Sequence, residues 1–179
     1  PLTRKRPLSS STVSTSGSIT IATANGGTTG FSGDVLLSSG TTQVGNSGGL
    51  ALTTGIASGG RGGSSSVIVG SGTSGVGGRV LLSAGDTTAA NRGGAVELRG
   101  GSAADTASTG GSVSIISGTS TSSSTGDVFV ASSDASFAGV SGSVVLSTGA
   151  AGNGATGHLA LFSGDAVGGA GGSISLVVG

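Results

Sequence analysis

The sequence predicts an all-β fold, a parallel β-solenoid of about eleven coils of 15–16 residues each. Three observations lead to this prediction. Valine, isoleucine or leucine residues recur two positions apart in short segments along the chain, and glycine marks both ends of nearly every segment. The segments also follow one another at intervals of 13–17 residues between residues 17 and 179. No window carries the i, i+3, i+4 apolar spacing that is typical of an amphipathic helix.

Each repeat follows the pattern Gly-x-Val-x-Leu-x-Ser-Gly and ends in a linker. An opening glycine stands two positions before the first apolar residue in ten of the eleven repeats, and a closing glycine stands five positions after it in nine. Side chains two positions apart point to one face of a strand. We therefore expect both apolar residues, and a small residue four positions after the first, to point inwards. The first apolar residues are Ile19, Val35, Leu50, Val67, Val80, Val96, Val113, Val128, Val144, Leu159 and Ile174.

The linkers between the repeats are short, with five to nine residues between one closing glycine and the next opening glycine. In a parallel solenoid the linker must travel back along an eight-residue strand, about 23 Å at about 3.3 Å per residue. The alternative is an antiparallel β-sandwich or jelly roll in which each repeat is a single strand. The similarity of the repeats favours the solenoid, because stacking gives every coil the same surroundings.

Eight large apolar residues occupy strand positions that point away from the predicted core. Monomeric proteins rarely expose long apolar strips. Either another layer of the same chain or identical neighbouring chains could cover this strip, and we favour identical chains. These eight outward residues, the candidate assembly contacts, are Leu36, Ile68, Leu81, Ile116, Phe129, Val145, Phe162 and Val177.

Residues 1–16 lie outside the repeats and form a basic, Ser/Thr-rich N-terminal arm, whereas residues 17–179 form the repeat domain. Arg4, Lys5 and Arg6 supply three of the seven basic residues of the protein. The arm is either a disordered tail or a segment that docks on a neighbouring subunit or an acidic polymer through these three side chains. The cluster is too short to indicate nucleic-acid binding.

The composition excludes most chemistry. Glycine, serine and threonine fill 96 of 179 positions, there is no cysteine, and there is one histidine. Thiol chemistry and cysteine-ligated metals are therefore impossible, and we expect no enzyme activity, metal or cofactor. His158 and Asp165 suggest a catalytic triad, but in a serine-rich protein such a combination arises by chance.

The charge pattern and hydropathy exclude two classes of partner. The net charge is zero, with 8% charged residues, which gives no electrostatic footprint for nucleic acid. No apolar run reaches the roughly 18–20 residues of a membrane span. The Ser/Thr-rich linkers, such as residues 119–125, could accept O-linked glycans.

The Gly-x-Val-x-Leu-x-Ser-Gly repeats of residues 17–179 resemble the Gly/Ser-rich β-strand repeats of extracellular fibres, coats and adhesins. This resemblance implies an extracellular or cell-surface location. The predicted function is a non-enzymatic structural subunit of an extracellular filament or surface fibre, which assembles through β-stacking and apolar strand faces. The alternative is a monomeric adhesin or an ice- or polysaccharide-binding solenoid.

Overall fold

A computed structural model of the protein describes residues 16–105 and 107–179. No residue in these two ranges belongs to an α-helix or a β-strand. The predicted β-solenoid is therefore wrong, and so are the alternative sandwich and jelly roll, because all three require paired strands. The described part of the protein also contains no helix with the length and apolar character that crossing a membrane requires.

The backbone hydrogen bonds of the described residues agree with the absence of a sheet. Within residues 16–105 and 107–179, seven backbone–backbone hydrogen bonds are formed, and each joins residues that are between two and ten positions apart. A folded globular protein forms about one internal hydrogen bond per residue. Bonds this few and this local close turns and loops, and they do not build a ladder between neighbouring strands.

The burial of side chains gives the physical reason for this correction. No hydrophobic side chain of the described residues is buried. The accessible surface is 18172 Å², against about 7,500 Å² for a folded protein of this mass and about 23,500 Å² for its unfolded form. Ordering a residue costs about 1–2 kcal/mol, and glycine loses the most freedom. Two or three large apolar side chains in a repeat of 15–16 residues give the single molecule too little burial to offset that cost.

The protein divides into two units, Pro1–Leu81 and Leu82–Gly179, and the linkers of the N-terminal unit are closed loops. A methyl group placed on Gly33 would lie 3.4 Å from Cγ2 of Thr23, and the Thr23 hydroxyl donates a 3.0 Å hydrogen bond to the Gly33 carbonyl. We call such an approach, between the glycine at the start of a repeat (Gly63 for the repeat that begins at Ser65) and a residue nine or ten positions earlier, a loop-closing contact. The other loop-closing contacts in the described part of this unit join Gly48 to Ser39, Gly63 to Thr54 and Gly78 to Val69.

Six loop-closing contacts lie in the described part of the C-terminal unit. Three are accompanied by a backbone hydrogen bond in which the opening glycine donates to the closing glycine of the preceding repeat. These bonds run from Gly94 to Gly85 at 2.9 Å, from Gly111 to Gly101 at 2.8 Å and from Gly126 to Gly118 at 3.0 Å. The other three contacts join Gly142 to Ser132, Gly157 to Thr148 and Gly172 to Ser163.

The closed loops contradict the connection that a parallel solenoid needs. Because the two ends of each linker meet, each repeat begins beside the end of the preceding repeat. In a parallel solenoid it would begin beside the start of that repeat. In four of the ten closed linkers the turn contains a glycine in the left-handed region, where other residues are strained. Gly45 and Gly75 have φ angles of +100° and +77°, and each stands three residues before an opening glycine.

The loop-closing contacts are also where the described residues are best shielded from solvent. Ala84 and Ser117 are half-buried, and every other described residue is exposed. Both belong to the column of small residues predicted to point inwards. A methyl group on Gly94 would lie 3.2 Å from Cβ of Ala84, and one on Gly126 would lie 3.7 Å from Cβ of Ser117. A small side chain at this position lets the two ends of the linker approach.

Candidate assembly surface

The eight outward residues are all exposed in the structure, between 69% and 89% of each residue's full accessibility. Leu36, Ile68 and Leu81 belong to the N-terminal unit, and the other five belong to the C-terminal unit. Seven of them follow the opening glycine of their repeat by three or five positions, and Ile68 stands five positions after Gly63. The basic cluster Arg4–Arg6, the other part of the predicted assembly site, lies outside the described residues.

The first apolar residues of the repeats differ from the outward residues in their exposure. Nine of these eleven residues are 49–61% exposed, below every one of the eight outward residues. The first apolar residue stands two positions after the opening glycine, which lies against the end of the preceding repeat. The end of the preceding repeat therefore shields the first apolar residue in part. The second residues predicted to point inwards are not shielded in this way, because Leu82 is 73% and Leu176 89% exposed, within the range of the outward residues.

A second set of exposed apolar residues lies in the linkers, which the repeat pattern identifies only as connectors. Their exposure is 93–108%, higher than that of the outward residues. The sequence signal is one large apolar residue, or two in the linker that holds Phe137 and Val140, among small and polar residues. These linker residues are Phe31, Val44, Ile56, Val76, Phe137, Val140 and Val167.

Three of the linker residues are placed by the turn itself. Val44, Val76 and Val167 each neighbour a glycine of positive φ, namely Gly45 at +100°, Gly75 at +77° and Gly168 at +87°. A left-handed residue reverses the direction of the backbone sharply. The adjacent valine is consequently carried at the tip of the loop, where no other described part of its unit covers it.

The ionisable side chains of the described residues all lie at the surface. His158 and Asp165 are both exposed. Among residues 16–105 and 107–179, no three His, Asp or Glu side chains lie close enough together to hold a metal ion.

No protein-family model matches the sequence, and comparison with curated proteins and with solved structures finds no significant similarity to any of them.

Proposed function

We propose that the protein is a non-enzymatic structural subunit of an extracellular filament or surface fibre, in which identical molecules cover one another's apolar side chains. One observation carries the proposal. Apolar residues recur in phase through eleven repeats, yet no hydrophobic side chain of the described residues is buried. A pattern that the single molecule does not use to build a core is available for contacts between molecules.

A second copy of the protein is a suitable partner because it carries the same spacing. Apolar side chains that recur every 13–17 residues on one copy find side chains at matching intervals on another. The zero net charge and the 8% content of charged residues add little long-range repulsion between copies. The backbone amides of the repeats, which form few bonds within the described residues, would gain partners in the same contact.

Burial of the outward residues between molecules would favour association. Full burial of a large apolar side chain is worth about 1.5–3 kcal/mol, so burial of all eight outward residues would contribute about 12–24 kcal/mol per molecule. Association costs about 4–15 kcal/mol in lost translational and rotational freedom and more for ordering flexible segments. The balance favours contacts that are repeated along the molecule over a single small interface.

Sedimentation velocity over a concentration series of the purified full-length protein, with electron microscopy of the same samples, tests this proposal. We expect the sedimentation coefficient to rise with concentration and regular filaments to appear. A protein that remains a single monomeric species at all concentrations would show that the proposal is wrong and would favour a monomeric binding protein.

A matched pair of triple variants locates the contacts. The first carries Leu81→Ser, Val145→Ser and Val177→Ser at outward positions. The second removes three apolar side chains from loop tips, with Val44→Ser, Val76→Ser and Val167→Ser. We expect the outward variant to assemble only at higher concentration and the linker variant to assemble like the original protein. The reverse result would assign the contacts to the loop tips.

A further inference from the structure

The sequence contains two Asn-Gly pairs, Asn25–Gly26 and Asn153–Gly154, and this pair of residues has a chemistry of its own. The glycine backbone nitrogen can attack the side-chain amide carbon of the asparagine. A new bond forms between these two atoms, the bond from that carbon to the amide nitrogen breaks, and ammonia leaves to give a five-membered succinimide. Solvent water then opens the ring at either carbonyl, which gives aspartate or isoaspartate without an oxidant, a reductant or a metal.

The two pairs differ in the space around the glycine that carries the attacking nitrogen. A methyl group placed on Gly26 would lie 2.7 Å from the carbonyl oxygen of Gly30, and the Gly30 amide donates a 3.2 Å hydrogen bond to the Gly27 carbonyl. Ring closure needs the Asn25–Gly26 peptide to rotate towards the side chain of Asn25. This rotation would push the backbone of Gly26 against the turn at residues 27–30. Ring closure there requires the turn to open first.

The surroundings of Gly154 are open. Apart from its neighbours in sequence, no heavy atom of the described residues lies within 4 Å of a methyl group placed on it, and its φ angle is +133°. Asn153 is exposed, and the segment 152–154 is a bend at the surface of a linker. Exposed loop tips with small residues are the places where a protein tolerates local rearrangement best, and ring closure needs only such a rearrangement.

The other two asparagines provide internal controls. Asn46 precedes Ser47 and Asn91 precedes Arg92, so in both cases a side chain shields the attacking nitrogen. The backbone N–H of Asn91 also donates a 2.7 Å hydrogen bond to the Ala89 carbonyl, which fixes the backbone just before Asn91.

We propose that Asn153 is a site of spontaneous succinimide formation and the most reactive of the four asparagines in the native protein. Its conversion places a carboxylate, and in the isoaspartate product an additional backbone methylene, in a loop closed by the contact between Gly157 and Thr148. The modification thus changes both the charge and the backbone length of that loop.

The test follows all four asparagines in one sample. The full-length protein, at a concentration where sedimentation shows a single species, is incubated in mildly alkaline buffer and, in parallel, in concentrated urea. Peptide mass spectrometry with electron-transfer fragmentation then counts aspartate and isoaspartate at each position over time. In buffer we expect conversion at Asn153 to be roughly tenfold faster than at Asn25, equivalent to about 1.4 kcal/mol in the barrier, and conversion at Asn46 and Asn91 to be slower still.

The incubation in urea distinguishes the effect of the folded structure on the reaction rate from the effect of the local sequence. With the turn at residues 27–30 unfolded, we expect Asn25 and Asn153 to react at similar rates. Equal rates in buffer, or a difference that persists in urea, would overturn the assignment to the structure. Gly154→Ala should slow conversion at Asn153, because the new methyl group shields the attacking nitrogen, whereas Gly152→Ala should leave it unchanged. An unaffected rate in Gly154→Ala would exclude attack by this nitrogen.

Discussion

The substitution Gly94→Ala tests the loop-closing contacts directly. Gly94 donates a 2.9 Å hydrogen bond to the Gly85 carbonyl. A methyl group on Gly94 would lie 3.2 Å from both Cβ of Ala84 and the Gly85 amide nitrogen, and 3.4 Å from the Gly85 carbonyl oxygen. Three atoms would have to move apart by a few tenths of an ångström, so we expect the hydrogen bond to break.

The adjacent glycine is the matched control. A methyl group on Gly93 would meet only the Gly85 carbonyl oxygen among the described atoms, at 3.8 Å, which is an ordinary van der Waals distance. Alanine also restricts the open form of the loop, which favours the ordered form by about 0.4–1 kcal/mol where the conformation is compatible. Gly93→Ala should therefore leave the contact intact or strengthen it slightly.

The magnitude follows from the hydrogen bond. An intramolecular hydrogen bond contributes about 0.5–1.5 kcal/mol net, which corresponds to roughly two- to twelvefold protection of an amide from exchange with solvent. We expect protection in this range for the Gly94 amide of the original protein and of Gly93→Ala. In Gly94→Ala we expect the amide of residue 94 to exchange at the rate of an unprotected peptide.

Amide exchange measured by NMR on the labelled full-length protein gives this readout residue by residue. The Gly126 amide, bonded to the Gly118 carbonyl at 3.0 Å, should remain protected in both variants and serves as the internal reference. Full retention of protection at residue 94 in Gly94→Ala, or no protection there in the original protein, would refute the loop-closing contact.

Three further predictions concern the turns and the exposed apolar surface. Gly75→Ala should destabilise the turn by about 1–2 kcal/mol, because alanine is strained at the φ of +77°. The nuclear Overhauser signal between Val69 and Gly78 should then weaken. Gly77→Ala, with open space around residue 77 among the described residues, should preserve that signal. Far-ultraviolet circular dichroism of the dilute protein should show neither helix nor strand, and a strand signal in a monomeric sample would contradict the structure. A dye that fluoresces on clustered apolar surfaces should bind the dilute protein weakly, because the exposed apolar side chains of the described residues are not gathered into a core. Dye fluorescence should rise as molecules associate, and strong fluorescence of a monomeric sample would contradict the structure.

Part of the candidate surface could be predicted from the sequence. Alternation alone assigns Leu81 and Val145 to the outward face, and both are more exposed than Val80 and Val144, the residues that precede them, although Leu82, assigned to the inward face, is more exposed than Leu81. Alternation can be predicted because covalent geometry turns successive side chains of an extended segment to opposite sides. The exposed linker residue Val44 could not be predicted in this way, because its exposure depends on the turn at Gly45 and not on a period.

The repeat spacing, the glycines at its boundaries and the small residues beside them were determined by the sequence alone, because they depend on side-chain size and on neighbours a few positions away. Tertiary structure alone decided whether the repeats pair into a sheet and where each linker ends. Pairing depends on a small difference between the burial gained and the conformational entropy lost over many residues. In this protein the difference does not favour a core among the described residues, and each linker closes on itself at contacts such as that between Gly94 and Ala84.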